Sequence, residues 1–204
     1  MKNMLKDAAI LFVITLIAGC LLGIVYEVTK EPIHEQEIKA KNEACQSVFE
    51  DADTFEQIEL SEQALAEAAT IEEEFSTTID EVSAAKDQNG AVLGYVITVT
   101  NHEGYGGDIQ YSMGVKTDGT LNGISFLSIS ETAGLGMRAE EVLSPQFQNK
   151  KVNSFSYTKT KAAGDDQIDA ISGATITTNA VTNGVNGGMA FFQRVLMEGG
   201  ADNE

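Results

Sequence analysis

The sequence predicts an α+β chain: one apolar amino-terminal helix, then an antiparallel sheet, then a long carboxy-terminal helix. Three observations carry this. Residues 8–26 form an uninterrupted stretch without a formal charge, which as a helix rising 1.5 Å per residue spans about 28 Å, enough for a bilayer core. From Thr77 to Ser130 the apolar residues fall in β-branched and aromatic runs, broken by Asn89-Gly90 and Asp118-Gly119, which are hairpin signals. From Ser172 onward Ile176, Ala180, Val181, Val185, Met189, Phe192, Val195 and Leu196 recur at spacings of three and four, the mark of one apolar helix face.

Residues 1–28 read as a cytoplasmic tail and transmembrane anchor. Lys2 and Lys6 precede the apolar run, and Lys30, Glu31 and Pro32 follow it. "IAGC", Ile17 to Cys20, resembles a lipobox, so a lipidated Cys20 is the competing reading. The run continues as "LLGIVYEV", where a lipidated mature end would turn polar. Lys30, Lys39 and Lys41 balance the basic tail, so charge alone does not orient the span. A short basic tail ahead of a large acidic domain places the tail inside and the domain outside the cytoplasmic membrane, in a single pass.

Residues 29–80 read as a stalk helix and an acidic helical region. The stalk is rich in Glu, Lys, Ala and Gln, all good helix formers, with Pro32 suited to a first turn. Between Glu43 and Ala85 there are thirteen acids and no Lys or Arg, a pattern that makes a solvated face.

Residues 81–204 read as the functional domain. A meander of three or four strands is expected from "TTIDEVSAAKD", "AVLGYVITVTN", "GGDIQYSMGVK" and "LNGISFLSIS". "HEGYGG", 102–107, lies between the second and third, and "ETAGLG", 131–136, follows the fourth. Glycine-rich loops at strand ends let backbone approach a ligand closely. A short helix is expected over Arg138–Leu143, a loop over 161–167, and the last helix from Ser172. Gly184, Gly187 and Gly188 cost helix propensity, which predicts close packing of that helix on the sheet.

The net charge of −18 excludes nucleic acid as a partner, because phosphate binding wants the opposite sign. Two cysteines, Cys20 and Cys45, make no disulfide framework, and His34 and His102 have no partner at zinc spacing, so no metal site is expected. There is no nicotinamide fingerprint, iron–sulfur cysteine cluster or haem motif.

"DAISGATITT", 169–178, admits two readings. Ser172 can be a helix N-cap, with Asp169 favourable to the dipole. The same free N–H groups can instead hold a phosphate, with Gly173 and Ala174 leaving room around the hydroxyl of Thr175.

"DAISGAT" resembles the flavinylation motif of FMN-binding domains, and "GYGGDI" and "ETAGLG" precede it in that family's order. One departure is Ala133, where the loop often carries Pro. The anchor and total length resemble the G subunits of Rnf-type electron transport complexes, relatives of the C subunit of sodium-pumping NADH:quinone reductase. The resemblance implies FMN joined through its phosphate to Thr175. It implies Glu131, Thr132, Gly134, Leu135 and Gly136 at the ring and Ser172, Gly173 and Ala174 at the phosphate. Tyr105, between two glycines, either reaches the flavin or packs in its loop. Asp169 is implied in recognition by the flavin transferase that matures the protein, with Thr177 and Thr178 the next hydroxyls after Thr175. The implied role is a redox subunit, not an enzyme alone, partnered by other membrane and redox subunits in a complex coupling ferredoxin:NAD oxidoreduction to Na⁺ or H⁺ movement. An extracytoplasmic flavin lipoprotein, marked by lipid on Cys20, and a redox-inactive anchored binding domain, marked by absence of flavin colour, are the alternatives.

Overall fold

A computed structural model describes residues 2–197, with side chains from Met4. The chain divides into two compact units, Met1–Ala40 and Lys41–Glu204. In chain order the elements are α1 (Lys2–Val48), β1 (Thr54–Gln57), α2 (Glu62–Phe75), β2 (Thr77–Lys86), β3 (Val92–Asn101), β4 (Ile109–Lys116) and β5 (Leu121–Ile129). They continue with α3 (Ala139–Leu143), β6 (Ser156–Thr158), β7 (Gln167–Asp169) and α4 (Thr175–Phe191).

Helix α1 is long and apolar enough to cross a membrane, and its large apolar side chains from Ile10 to Val28 are exposed. Thr15 donates its hydroxyl to the Leu11 carbonyl at 3.0 Å, so the span's one hydroxyl outside the tyrosine is satisfied within the helix. The helix does not restart at Pro32 as expected. Pro32 lies inside it, because strong helix formers on both sides propagate one helix where a break would require a second nucleation.

From Lys41 onward α1 belongs to the globular unit. Ala44, Cys45, Val48 and Phe49 are buried there with Ala52, Ala85 and Val96. Burial pushes the Cys45 thiol up, against the lowering effect of Lys41. Gln46 Nε2 closes the helix end, donating to the carbonyls of Glu50 at 3.0 Å and of Phe49 and Ala52 at 3.3 Å.

The sheet is an antiparallel meander in the order β1-β2-β3-β4-β5. It has one more strand than expected, because β1 lies inside the stretch read as helical, and β2 starts at Thr77, ahead of the 81 boundary. Strand β1 is short and at the edge, so its own period is invisible; pairing with Ser83–Lys86 of β2 makes it a strand. Helix α2 has a Ser61 N-cap whose hydroxyl accepts the Ala64 N–H at 3.3 Å. Arg194 reaches two of its acids, Glu67 at 2.8 Å and Glu74 at 2.9 Å.

Helices α2 and α4 pack on one sheet face around Ile71, Ile97, Val99, Ile109, Tyr111, Met113, Val185 and Met189. Gly184 and Gly188 permit this: an added Cβ would stand 2.2 Å from Tyr111 Oη and from Met113 Sδ respectively. Helix α4 begins at Thr175, not Ser172, and Ile176 is exposed. A π-helical turn, Phe192–Met197, follows it. The short parallel pair β6–β7 has no counterpart in the sequence expectation.

Candidate functional site

Three glycine-bearing segments meet at one end of the sheet. The first is the β3–β4 loop. His102 Nδ1 lies 3.0 Å from Asp108 Oδ1 and closes the loop's base. Glu103 Oε2 accepts a hydrogen bond from Asn183 Nδ2 of α4 at 2.7 Å, and the Tyr105 N–H donates to Glu131 Oε1 at 2.8 Å. Glycine is required at the crossing, since a Cβ on Gly106 would stand 1.9 Å from the Ser130 oxygen.

The second segment, 131–136, turns at Gly134, where φ is +78°. The N–H groups of Leu135 and Met137 both donate to the Thr132 carbonyl, at 3.1 and 3.2 Å. Gly136 is squeezed: a Cβ there would stand 2.6 Å from Thr177 Oγ1 and 2.9 Å from Glu131 Oε2. Leu135 lies over Gly173, whose added Cβ would meet Leu135 Cδ2 at 3.1 Å.

The third segment leads into α4. Gln146 holds it by accepting the Asp169 N–H at 2.6 Å and donating to the Asp169 carbonyl at 3.1 Å. The Asp169 carboxylate accepts the Ala162 N–H at 2.5 Å, so it shapes this loop from a half-buried position. Gly173, with φ of +80°, turns the chain, and Ala174 takes the N-cap position without a side-chain bond. Ser172 therefore does not cap the helix; it is exposed. Thr178 does that work from inside the first turn. Its buried hydroxyl accepts the Ile171 N–H at 3.1 Å and donates to the Ala174 carbonyl at 2.9 Å.

Together the segments enclose a cavity of about 510 Å³, within the usual range for small-molecule sites. Tyr105 comes from the first segment, Glu131, Thr132, Leu135 and Gly136 from the second, and Gly173, Ala174 and Thr175 from the third. Ile176 and Thr177 complete the lining. From the sequence, Ile176 reads as part of the core face and Thr177 only as a spare hydroxyl. Ser172 and Gly134 are not in the lining: both are exposed, and Gly134 forms the turn that leads into Leu135.

The cavity has two chemical ends. Tyr105, Leu135 and Ile176 are 70%, 40% and 52% exposed, an apolar rim suited to a flat aromatic ring. The first-turn N–H groups of α4 lack intrahelical acceptors and sit at the positive end of its dipole, which favours an anion. The Thr175 hydroxyl lines this end and makes no hydrogen bond among the described residues. No metal-binding cluster occurs among the described residues. A ring-bearing phosphate such as FMN fits this donor set and this apolar rim.

Comparison with known proteins agrees with this geometry. A family model described as FMN-binding domain matches residues 104–190, and one described as RnfG N-terminal region matches residues 1–48. The chain is 34% identical to the G subunit of the Na⁺-translocating ferredoxin:NAD⁺ oxidoreductase complex of Acetobacterium woodii, over 95% of this chain and 94% of that one. It is 29% identical to the G subunit of the proton-translocating complex of Clostridium ljungdahlii, over 88% of this chain and 90% of that one. The C subunit of the Na⁺-translocating NADH-quinone reductase of Parabacteroides distasonis shares the fold, with a TM-score of 0.51 at 22% identity, covering 70% of this chain and 77% of that one.

Proposed function

The chain belongs to the family of G subunits of ion-translocating oxidoreductase complexes, and on that premise we propose that it is a membrane-anchored electron carrier bearing FMN on Thr175. The complex it serves couples ferredoxin:NAD oxidoreduction to Na⁺ or H⁺ translocation. The observation that carries the reading is the meeting of three distant segments at the free hydroxyl of Thr175, on the first turn of α4.

The flavin, when bound, supplies one- and two-electron transfer. The chain supplies position and surroundings. Glu131 holds the Tyr105 loop against the cavity wall through the Tyr105 N–H. Leu135 and Ile176 would shield a planar ring from water. The α4 N-terminus would hold the phosphate, with Thr175 Oγ1 as the atom of attachment. Asp169 belongs to the segment that the flavin transferase reads. Residues 8–26 carry no charge, so this span offers no ion path, and ion movement falls to other membrane subunits. The flavin domain lies outside the cytoplasmic membrane.

The test is the mass of denatured protein made together with a flavin transferase. Thr175 Oγ1 makes no hydrogen bond among the described residues, so Thr175→Ala changes stability by less than about 1 kcal/mol. It is expected to lose the FMN-sized increment while remaining folded. Thr178→Val removes two buried hydrogen bonds and costs about 1–3 kcal/mol, yet keeps the increment. An FMN increment that survives in Thr175→Ala would overturn the assignment.

A further inference from the structure

Thr177 is 1% exposed, yet it lines the cavity and its hydroxyl has no hydrogen-bond partner among the described residues. Among the described residues it shares this with Thr175, the other threonine of α4 in the cavity lining. Thr178 and Thr182 both turn their hydroxyls back to carbonyls one turn earlier, at 2.9 and 2.7 Å. Among the described residues Ser144 Oγ is the one sealed side-chain polar atom without a partner, so Thr177 Oγ1 is not sealed but opens onto the cavity, a placement that calls for a reason.

Its surroundings supply one. The site of the Cβ that Gly136 lacks is 2.6 Å from Thr177 Oγ1 and 2.9 Å from Glu131 Oε2. Glu131 Oε1 is taken by the Tyr105 N–H, whereas Oε2 has no hydrogen-bond partner among the described residues. A hydroxyl donor and a carboxylate acceptor, each without a partner among the described residues and each on a residue that lines the cavity, therefore converge on one place beside Gly136. A phosphate is unsuited to it, because Glu131 would repel the charge. The pair matches a group that presents a carbonyl beside an N–H.

We infer that Thr177 and Glu131 together hold the carbonyl and N–H edge of the flavin ring, Thr177 donating to the carbonyl and Glu131 Oε2 accepting from the N–H. This rests on the FMN reading above. The two contacts act oppositely on the ring's electron affinity. A donor at the carbonyl favours the electron-rich reduced form, and a carboxylate at the N–H disfavours it. Thr177 and Glu131 thus tune the site as well as orient its occupant.

The experiment is a spectroelectrochemical titration of the full chain in detergent, after co-expression with a flavin transferase, with denatured mass confirming the load. Thr177→Val is expected to disfavour reduction about tenfold, or about 30 mV for a two-electron couple. Thr177→Ser should restore the wild-type value within about twofold, since one hydroxyl is worth about tenfold at most. Glu131→Gln keeps the acceptor for Tyr105 and should shift the potential the other way. If Thr177→Val fails to fold, the Glu131→Gln shift decides the matter alone. A loaded Thr177→Val with unchanged potential and visible spectrum, or a Glu131→Gln shift in the negative direction or of zero, overturns the inference and leaves the FMN reading standing. Wild-type protein without the mass increment overturns both.

Discussion

Gly184→Ala probes how α4 is seated on the sheet, and hence what holds Thr175 in place. A Cβ at 184 would stand 2.2 Å from Tyr111 Oη, 3.1 Å from its Cζ and 3.3 Å from Asn101 Cβ. The phenol has nowhere to go. Tyr111 is fully buried, donates to the Val181 carbonyl at 2.9 Å and packs on Phe126 with ring centroids 5.5 Å apart. Its burial also pushes the hydroxyl pKa well up, so it stays a neutral donor. Alanine gains about 1 kcal/mol of helix propensity. Against that stand overpacking of about 1–3 kcal/mol and a stranded buried hydroxyl of about 1–3 kcal/mol. The expected net loss is about 3 kcal/mol, read from thermal melting of the full chain in detergent. Gly187→Ala is the control. Its Cβ would meet Ile71, Phe75 and Thr77 at 3.3 Å, so it should stay within about 1 kcal/mol of wild type. In a Tyr111→Phe background the Gly184→Ala penalty should shrink by about 1–2 kcal/mol, as expected of groups in direct contact. Equal tolerance of the two alanines, or a penalty undiminished in the Tyr111→Phe background, would refute the reasoning.

Two further outcomes are expected. Asp118 accepts the Thr120 N–H at 2.9 Å and Lys151 Nζ at 3.1 Å, and these partners, Thr120 first, pull its pKa from 3.8 to about 2. The folded value is the lower one, so its stabilising effect is complete above about pH 4 and disappears as pH falls toward 2; melting should show wild type losing more over that window than Asp118→Asn. A reporter fused after Glu204 should be active only if it is a type that works outside the cytoplasm, and activity of a cytoplasm-only reporter there would reverse the orientation.

The elements that can be read from the chain are those with local signatures: a charge-free stretch, Asn-Gly and Asp-Gly turns, and a face of three and four spacing. Those that cannot be read are made by distant partners. β6 and β7 have three residues each, too few for any period, and exist because Gln146 and Asn186 fix the chain around them: Asn186 exchanges bonds with the Phe155 backbone at 2.7 and 2.9 Å. The cap expected at Ser172 fails because Gly173 turns that residue outward, while Thr178 reaches back to the Ile171 N–H. The site's segments are legible as motifs. The part of Thr177 is not, because whether a helical threonine bonds its own backbone or a cavity depends on what stands opposite, here the bare Gly136.

Why the three segments meet follows from strand parity and one length match. Thr77, Asn101, Ile109 and Ile129 form a row across the sheet end. Antiparallel strands alternate direction, so the β3–β4 loop and the segment after β5 leave by this row, whereas the Asp118-Gly119 turn leaves by the opposite edge. One strand more or fewer between them would separate Tyr105 from Glu131. Helix α4 runs alongside β4 in the same sense, with Gly184 over Tyr111 and Gly188 over Met113. Two strand residues advance about 6.6 Å and four helical residues about 6 Å, so the contacts stay in step. A Cβ on Gly184 would also meet Asn101 Cβ at 3.3 Å, so Gly184 already stands by the end row in which Asn101 pairs with Ile109. The nine residues from there back to Thr175 extend about 13 Å, which carries Thr175 and Thr177 past the strands to the level of the loops. The attachment hydroxyl is therefore set beyond the sheet by the seating of Gly184 and Gly188, and a slip of α4 by one turn would draw Thr175 back over the strands and away from Glu131.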